Sequence, residues 1–242
     1  MNRLTVVVLA AGKGTRMKSD IPKVCHKVGD KTMIEHIVSS VSGLNTEDVY
    51  VVVSKENIED IRKVLKNTKV RFKIQYEQLG TAHAVTSAMP CCDDTKDMLV
   101  LLGDVPLIKS KTLNKITNTN CDAVIVGFRN DDNENRFGRI VVKNNRVNRI
   151  VEYNDATDEE KQIQLCNSGM LWLKSTHVPL LKLIKNNNVK GEYYLTDIIG
   201  IMVEKGLEIG FLELDFEECM GVNTVSDLEL ANKIYKEMGN KK

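Results

Sequence analysis

A glycine-rich loop near the start of the chain carries the first residues that could do chemistry. The segment "VVVLAAGKGTRMKSDIPK" passes from apolar residues into a loop that contains Gly12, Gly14, Arg16 and Lys23. Glycines let backbone N–H groups approach a phosphate without a Cβ atom in the way, while Arg16 and Lys23 supply neutralising charge and Pro22 restricts the backbone before Lys23. The loop therefore predicts a site for a triphosphate.

This loop does not match the two most familiar nucleotide-binding loops. A Walker loop has four residues between its glycines and then Lys-Ser/Thr, whereas one residue separates Gly12 from Gly14. A Rossmann fingerprint has a small residue where Met17 stands, and an acidic residue soon after a second strand. A solvated basic loop is the structural alternative, but the glycines and the apolar run before them favour an anion site.

A second polar group follows another apolar run. In "MLVLLGDVPLI", Gly103 and Asp104 come directly after the predicted strand Met98–Leu102. A carboxylate there suits Mg²⁺, which takes few protein oxygens and bridges phosphates; the alternative is a turn cap before Pro106. Ligands of open α/β sheets bind beyond the carboxyl ends of the strands, so we expect Gly103 and Asp104 at the substrate, beside the glycine loop.

The segment "QYEQLGTAHA" carries amide side chains next to a turn. Gln75 and Gln78 each offer a donor and an acceptor, with which they can contact a nucleobase edge. Gly80 and Thr81 open a predicted helix, for which Thr81 also suits an N-cap. The two roles are compatible, and we expect this turn to lie at the nucleotide.

The elements that must position these residues follow from hydrophobic periodicity. In the first half, strand patterns alternate with helical patterns, which indicates βαβ units. The predicted strands there are Thr5–Ala10, Val49–Val53, Val70–Tyr76 and Met98–Leu102, and the predicted helices are Met33–Val41, Lys55–Lys66 and Thr81–Met89. The second half predicts four strands joined by short turns, then a strand between two helices: Asp122–Phe128, Gly138–Lys143, Arg146–Glu152, Cys166–Leu173, Thr196–Lys205, Glu208–Leu214 and Thr224–Met238.

These patterns predict an α/β fold class with a doubly wound, mixed and mainly parallel sheet, and a lobe inserted on the substrate side. We expect residues 1–242 to form a single domain. The 34 basic and 33 acidic residues nearly balance and only 5% are aromatic, so we expect no nucleic acid partner. Leu4–Ala11 is too short and too rich in valine for a secretory signal, and no run is long enough to span a membrane.

The cysteines and histidines predict neither disulfides nor a metal cluster. The six cysteines contain no Cys-x-x-Cys pair, and the four histidines are scattered. We expect buried free thiols in a cytoplasmic protein, at Cys25, Cys91, Cys92, Cys121, Cys166 and Cys219.

Taken together, the motifs resemble those of the sugar-phosphate nucleotidyltransferases. The first motif, "LAAGKGTRM" with "PK" soon after, is shared by many sugar and polyol nucleotidyltransferases. The later segments are similar, in order, to the uridylyltransferase domain of bacterial N-acetylglucosamine-1-phosphate uridylyltransferases: "EQLGTAHA", "GDVPLI", "FGRIV", "IVEYNDATDEEKQIQ", "CNSGM", "GEYYLTDII" and "GVN". The similarity extends from Leu9 to Asn223, with Leu102, Ser168 and Met220 standing where tyrosine, threonine and glutamate are common.

The resemblance implies a reaction of UTP with N-acetylglucosamine 1-phosphate, in a Rossmann-like fold with a nucleotide-binding half (1–110) and a sugar-binding half (111–242). Arg16 and Lys23 would bind the triphosphate and stabilise charge as pyrophosphate leaves, while Asp104 and Asn223 would hold Mg²⁺. The residues implied to hold the nucleotide are Leu9, Ala10, Ala11, Gly12, Gln75, Gly80 and Thr81. Those implied to hold the sugar are Gly138, Glu152 and Asn167.

Structural alternatives remain for two of these residues. Asn223 directly precedes a predicted helix, and Thr224 with Asp227 resembles a capping arrangement, so a cap near Asn223 is a competing interpretation. Glu152 could instead be a surface carboxylate of the acidic run "EYNDATDEE".

Two other functions fit part of the pattern. Methylerythritol phosphate cytidylyltransferases share the first loop and the Pro-Lys pair, but "NDATDEEKQIQ" and "GEYYLTD" favour the sugar enzyme. A non-catalytic sugar-nucleotide-binding regulator would be expected to lack the charged groups, which are all present here. Bifunctional family members continue into a β-helix of hexapeptide repeats that acetylates glucosamine 1-phosphate, and we expect no such acetyltransferase domain in this chain.

Overall fold

The three-dimensional structure is a computed structural model that describes residues 3–46, 48–89, 92, 95–132 and 135–240. Within these ranges one large sheet runs through the molecule, and a small hairpin of two strands, each two residues long, lies apart from it. The strands are β1 (Leu4–Leu9), β2 (Lys27–Val28), β3 (Lys31–Thr32), β4 (Asp48–Val53), β5 (Arg71–Ile74), β6 (Asp97–Leu102), β7 (Ala123–Arg129), β8 (Arg139–Lys143), β9 (Arg146–Val151), β10 (Leu165–Leu173) and β11 (Ile209–Glu213).

The sheet has the order β11-β7-β10-β6-β1-β4-β5. β1 pairs in parallel with β4 and β6, as do β4 with β5 and β7 with β11, whereas β10 runs antiparallel between β6 and β7. The predicted mixed, mainly parallel α/β sheet is therefore confirmed.

Helices cover both faces of this sheet. They are α1 (Met33–Val41), α2 (Ile58–Val64), α3 (Thr81–Ala88), α4 (Ser110–Thr117), α5 (Asp158–Lys161), α6 (Asp197–Glu204), α7 (Phe216–Cys219) and α8 (Val225–Asn240), with 3₁₀ turns at Thr15–Met17, Lys23–Cys25 and Ser175–Leu183. In the part of the chain that the structure describes, no helix combines the length and apolar character needed to cross a bilayer.

The central strands β1 and β6 are buried on both faces because helices pack against both sides of them. Val6 and Val8 of β1 pack into one apolar cluster with α1, α2 and α4, while Val7, between them, packs into a second with α3 and α6. This explains why the strands are continuous apolar runs and do not alternate with polar residues. A third cluster joins α8 to the β2–β3 hairpin.

The β8–β9 hairpin forms the predicted lobe. β10 begins at the same edge of the sheet at which β1 and β6 end, and β8 pairs with it there through Arg139 and Cys166. Arg139 also pairs with Val151 at the end of β9, so the hairpin extends past this edge. Gly138 and Glu152 flank that pair, and therefore lie at the base of the lobe.

The structure corrects the expected connections. Short turns do not join all strands of the second half, because α5 lies between β9 and β10. The capping box of Thr157 and Glu160 starts this helix, but its four residues are too few for a helical period to be recognised. The helices α4 and α7 were not predicted either, of which only α7 is as short as α5, and α2 is shorter than the predicted Lys55–Lys66.

The expectation of buried free thiols is correct for only part of the set. Cys166 and Cys219 are free and buried, whereas Cys25 and Cys121 are free but half-buried. Burial raises the pKa of Cys25 to about 11 and that of Cys219 to about 12, so both are protonated at neutral pH. The Cys92 thiol lies 3.3 Å from the carbonyl of Ala88, and Cys91 lies outside the described residues.

Candidate active site

Two adjoining cavities open at the carboxyl edge of the sheet. Their volumes are about 400 and 320 Å³, within the range of roughly 300–1,000 Å³ that small ligands occupy. Thr81, Leu102 and Asp104 line both. We call the smaller one the loop-side cavity, because residues 9–12 line it, and the larger one the hairpin-side cavity, because Gly138 and Glu152 line it.

The loop-side cavity brings together the residues expected to bind the nucleotide. They come from the ends of β1, β5 and β6, from the turn before α3 and from the glycine loop. The lining includes Leu9, Ala10, Ala11, Gly12, Lys23, Gln75, Gln78, Gly80, Thr81 and Asp104.

Hydrogen bonds hold the end of β1 in place. The Ala10 amide donates to the carbonyl of Val52 at 2.8 Å, and the Asn57 side chain donates to the Ala10 carbonyl at 2.8 Å. Gly103 belongs to this packing and lines neither cavity: its amide donates to the Leu9 carbonyl at 2.9 Å, and an added Cβ would lie 3.0 Å from that oxygen. Glycine at position 103 thus allows the end of β6 to pack closely on β1.

Gln75 and Gly80 shape the turn before α3. The Gln75 amide nitrogen, in a side chain only 3% exposed, lies 3.1 Å from both the Gly80 carbonyl and Nδ1 of His83. Gly80 has φ +117°, and a Cβ there would meet the Tyr193 carbonyl at 2.5 Å. In the His83 tautomer whose Nδ1 is an acceptor, both Gln75 amide hydrogens are used within the protein, and the side chain offers a ligand its Oε1 acceptor.

The segment around Tyr193 fastens this turn to the other half of the chain. The Tyr193 amide donates to the Leu79 carbonyl at 2.7 Å, and the Tyr193 carbonyl accepts from the Ala82 amide at 2.9 Å. The Leu195 amide donates to Thr81 Oγ1 at 2.9 Å. The two motifs "EQLGTAHA" and "GEYYLTDII" thus build one wall together.

The hairpin-side cavity brings together the residues expected to bind the sugar. Its lining includes Gly138, Glu152, Asn167 and Asn223, together with Arg16. The Asn167 amide donates to the Gly138 carbonyl at 2.8 Å, which fixes β10 against the base of the hairpin. A Cβ at Gly138 would lie 3.4 Å from Glu152 Oε2, so glycine leaves space beside this carboxylate.

Glu152 is an acidic group of this cavity, in addition to Asp104 at the junction. Its Oε1 accepts a hydrogen bond from Thr196 Oγ1 at 2.9 Å. Desolvation raises the pKa of Glu152 above its ordinary value, and the nearby Asp197 and Asp155 carboxylates add to the rise, while the Thr196 hydroxyl opposes it. Glu152 is therefore a half-buried carboxylate of the cavity wall and not a freely solvated member of the acidic run.

Charged and amide side chains from three distant segments meet where the two cavities join. Lys23 Nζ donates to Asp104 Oδ2 and, at 3.0 Å, to Asn223 Oδ1. Arg16 also donates to Asn223 Oδ1 at 3.0 Å. The side chains of Lys23 and Asp104 are only 14% and 17% exposed, so this ion pair is largely removed from water.

The cap of α8 leaves the Asn223 side chain available to this junction. Asp227 Oδ2 accepts from the amides of Asn223 and Thr224 at 2.9 and 2.8 Å, and the Asp227 amide donates to Thr224 Oγ1 at 3.2 Å. Thr224 and Asp227 thus form the capping box themselves. The Val222 amide donates to the Asp104 carbonyl at 2.8 Å, which holds Asn223 next to Asp104.

The junction also has the donor chemistry of a cation site. Oxygens of Asp104 and Asn223 converge on a single cation, the Lys23 ammonium. Carboxylate and amide oxygens are ligands that Mg²⁺ accepts, and Mg²⁺ commonly takes only one or two carboxylates and completes its shell with water and substrate phosphate. Among the described residues no group of three or more His, Cys, Asp or Glu side chains could hold a metal, so any such ion would depend on substrate oxygens.

Several residues that line these cavities were not assigned a role from the sequence. Among them, Leu102 lines both cavities, Thr196 binds Glu152, and Arg136 lines the hairpin-side cavity. Thr196 and Arg136 lie within or next to recognised motifs, in "GEYYLTDII" and directly before "FGRIV". Their positions in those segments were the available signal.

The mainly parallel sheet, the glycine loop and the cationic junction at its edge are the features expected of a nucleotidyltransferase. The chain belongs to the family described as the MobA-like NTP transferase domain, whose family model matches residues 6–171. The expected membership among nucleotidyltransferases is thereby confirmed.

Individual relatives extend this match over nearly the whole chain. The chain is 37% identical over 238 residues to the bifunctional protein GlmU of Brucella anthropi, covering 96% of this chain and 52% of that protein. It thus spans about half the length of this curated relative. A solved structure from Bacillus anthracis, provisionally assigned as a glucose-1-phosphate thymidylyltransferase in complex with sucrose, has the same fold, with a TM-score of 0.76, 23% identity, and coverage of 96% of this chain and 94% of that one.

Proposed function

We propose that this protein transfers a uridylyl group from UTP to N-acetylglucosamine 1-phosphate, which yields UDP-N-acetylglucosamine and pyrophosphate. The observation that carries the proposal is the junction of Lys23, Asp104, Asn223 and Arg16 between two ligand-sized cavities. One cavity would hold UTP and the other the sugar phosphate. Their reacting phosphates would then meet at the junction.

The reaction needs positioning and charge neutralisation more than acid–base groups. An oxygen of the sugar phosphate attacks the α-phosphorus of UTP, a new P–O bond forms in line, and the bond to the β-phosphate breaks. The electron pair leaves on the pyrophosphate oxygen. Lys23 and Arg16 neutralise this developing charge, in the manner general for phosphoryl-group transfer.

Asp104 and Asn223 would hold a Mg²⁺ ion in this proposal. Such an ion, when bound, neutralises and orients phosphate oxygens. Lys23 now satisfies both oxygens, so it would exchange them for phosphate oxygens when the nucleotide binds. An ammonium on a flexible stem is suited to such a change of partner.

In this proposal, Gln75, beside the turn before α3, selects uracil over cytosine. With its amide hydrogens bonded to Gly80 and His83, Gln75 offers an acceptor oxygen to the base. The N3–H group of uracil is a donor and matches it, whereas N3 of cytosine is an acceptor and does not. This argues against the cytidylyltransferase alternative.

The sugar would lie against Glu152 and Asn167. An ionised carboxylate accepts hydrogen bonds from sugar hydroxyl groups, and an amide both donates and accepts. Gly138 leaves room beside Glu152 for the ring. In this proposal residues 1–110 bind the nucleotide, residues 111–242 bind the sugar, and the two halves form one domain.

A panel of substrates tests the assignment. Pyrophosphate release is measured with UTP, CTP, dTTP and ATP, each combined with N-acetylglucosamine 1-phosphate, glucose 1-phosphate or methylerythritol phosphate, with and without Mg²⁺. The proposal predicts the highest kcat/KM for UTP with N-acetylglucosamine 1-phosphate, and no pyrophosphate release without Mg²⁺. Preference for CTP with methylerythritol phosphate would establish the polyol enzyme, and binding of the sugar nucleotide without turnover would establish a regulator.

A further inference from the structure

Arg136 is a cation of the hairpin-side cavity that the sequence motifs did not assign. It is exposed, and it lines the cavity together with Glu152, Asn167 and Asn223. The other arginine of the lining, Arg16, donates to Asn223. Within the described residues Arg136 makes no hydrogen bond and no ion pair. Its guanidinium is therefore available to a ligand.

A second arginine, Arg139, holds the backbone on both sides of Arg136. Arg139 is completely buried, and every N–H of its guanidinium has an acceptor. Nη1 donates to Asn135 Oδ1 at 2.8 Å and to the Phe137 carbonyl, and Nη2 donates to the Asn135 carbonyl at 3.2 Å. Nε and Nη2 each donate to the Lys161 carbonyl at 3.2 Å. Asn135 and Phe137, the two neighbours of Arg136, are thus fixed to the end of α5.

This arrangement balances a buried charge with carbonyl and amide oxygens and with the ring of Tyr153, whose centroid lies 5.8 Å from the guanidinium carbon, but with no carboxylate among its hydrogen-bond acceptors. Burying an arginine without a carboxylate partner is expensive unless all its donors are satisfied, as they are here. An exposed loop with no role would have no need of so costly a support. The loop that is held is the one that presents Arg136 and Gly138 to the cavity.

We propose that Arg136 binds the phosphate of the sugar 1-phosphate, and that Arg139 is the positioning residue that directs it there. This inference rests on the proposed function and names one of its substrate contacts. A guanidinium binds phosphate through two parallel hydrogen bonds, whereas sugar hydroxyl groups are already matched by Glu152 and Asn167. Arg136 therefore selects the phosphorylated sugar over the free sugar.

Calorimetry on the full chain tests the phosphate contact without requiring turnover. The probes are N-acetylglucosamine 1-phosphate and unphosphorylated N-acetylglucosamine. Arg136→Gln should raise the Kd of the sugar phosphate ~10-fold or more and leave binding of the free sugar unchanged. Arg146→Gln removes an exposed charge from the same hairpin, outside the cavity, and should change neither.

Steady-state kinetics distinguish this phosphate from those of the nucleotide. Arg136→Gln should raise KM for the sugar phosphate and leave KM for UTP within ~2-fold. Equal sugar-phosphate affinity in the wild type and Arg136→Gln, or a rise confined to UTP, would overturn the proposal. If the calorimetric difference holds but no UDP-sugar is made, the Arg136 contact stands and the proposed reaction fails.

Asn135→Ala tests the positioning role, because it removes one acceptor of Arg139 and leaves Arg136 in place. It should raise KM for the sugar phosphate and leave the UTP value unchanged. Combined with Arg136→Gln, it should add less than ~2-fold, because both changes act through the same contact. Full multiplication of the two effects, or an equal loss of affinity for both substrates, would refute the positioning role.

Discussion

Lys23 Nζ lies 3.0 Å from the Oδ1 atom of Asn223, although 200 positions separate the two residues in the chain. The same ammonium also donates to Asp104. One cation therefore ties together the glycine loop, the end of β6 and the loop before α8. From these three segments the sequence motifs predicted the cations and the metal-binding oxygens of a nucleotidyl-transfer site.

The first prediction distinguishes a catalytic role of the Asn223 side chain from a role in capping α8. Asn223→Ala should lower kcat ~10²-fold or more, as for loss of a group that stabilises transition-state charge. Its Tm should barely change, because Thr224 and Asp227 supply the cap. Steady-state kinetics and thermal unfolding on the same preparations measure both effects.

Thr224→Ala is the matched control for that pair. Loss of a cap costs ~1 kcal/mol, which lowers Tm by about 2–4 °C in a domain of this size, and catalysis should change far less. Near-wild-type turnover of Asn223→Ala across a Mg²⁺ titration would remove Asn223 from the site.

The second prediction concerns Asp104. Asp104→Asn removes the negative charge from the cation site, so the Mg²⁺ concentration needed for half-maximal rate should rise and kcat should fall at least as far as in Asn223→Ala. If both side chains act through one ion, the double variant should lose less than the product of the two single losses. Strict multiplication of the two losses would show that they act independently.

The third prediction concerns the base. The kcat/KM for UTP should exceed that for CTP by ~5- to 150-fold, the equivalent of about 1–3 kcal/mol for one mismatched buried group. The structural reason is that Gln75 keeps its amide hydrogens on Gly80 and His83 and offers only an acceptor. Competition between the two nucleotides in one reaction gives the ratio directly, and a ratio near one would contradict the role of Gln75.

The fourth prediction follows from the raised pKa of Glu152. Because folding raises this pKa, the folded protein binds the proton more tightly than the unfolded chain, so the ionised carboxylate destabilises the fold at neutral pH. That destabilisation disappears as pH falls through the raised pKa. Glu152→Gln should therefore raise Tm at pH 7–8, by up to ~2 °C, and the difference should vanish in acid.

The same substitution should weaken binding of the sugar phosphate. Glu152→Gln should raise KM for N-acetylglucosamine 1-phosphate and leave that for UTP unchanged, since the amide accepts sugar hydroxyl groups less strongly than a carboxylate. Unchanged Michaelis constants together with a lower Tm would mean that Glu152 supports the fold through Thr196 and does not contact the sugar.

The general position of the site was predictable because strand ends meet at one edge of a parallel sheet. That rule alone predicts Asp104 beside the glycine loop. It also suggests a ligand contact for Gly103, which stays a prediction; the structure shows that an added Cβ there would lie 3.0 Å from the Leu9 carbonyl.

Other features depend on packing between segments that are far apart in sequence. Whether Asn223 caps α8 or faces the junction could not be decided from "GVNTVSD", since both Asn223 and Thr224 suit a cap. The role of Arg139 was hidden because its acceptors are mainly backbone carbonyls, which any residue provides. Arg136 lay just outside the motif that was recognised.

The most direct test of the central claim follows one oxygen atom through the reaction. N-acetylglucosamine 1-phosphate labelled with ¹⁸O in its non-bridging phosphate oxygens is incubated with UTP, Mg²⁺ and the protein, and the products are analysed by phosphorus NMR and mass spectrometry. Attack of the sugar phosphate on the α-phosphorus predicts equal amounts of UDP-N-acetylglucosamine and pyrophosphate, with the label entirely in the sugar nucleotide. Label in the pyrophosphate, or no sugar nucleotide at all, would contradict the account.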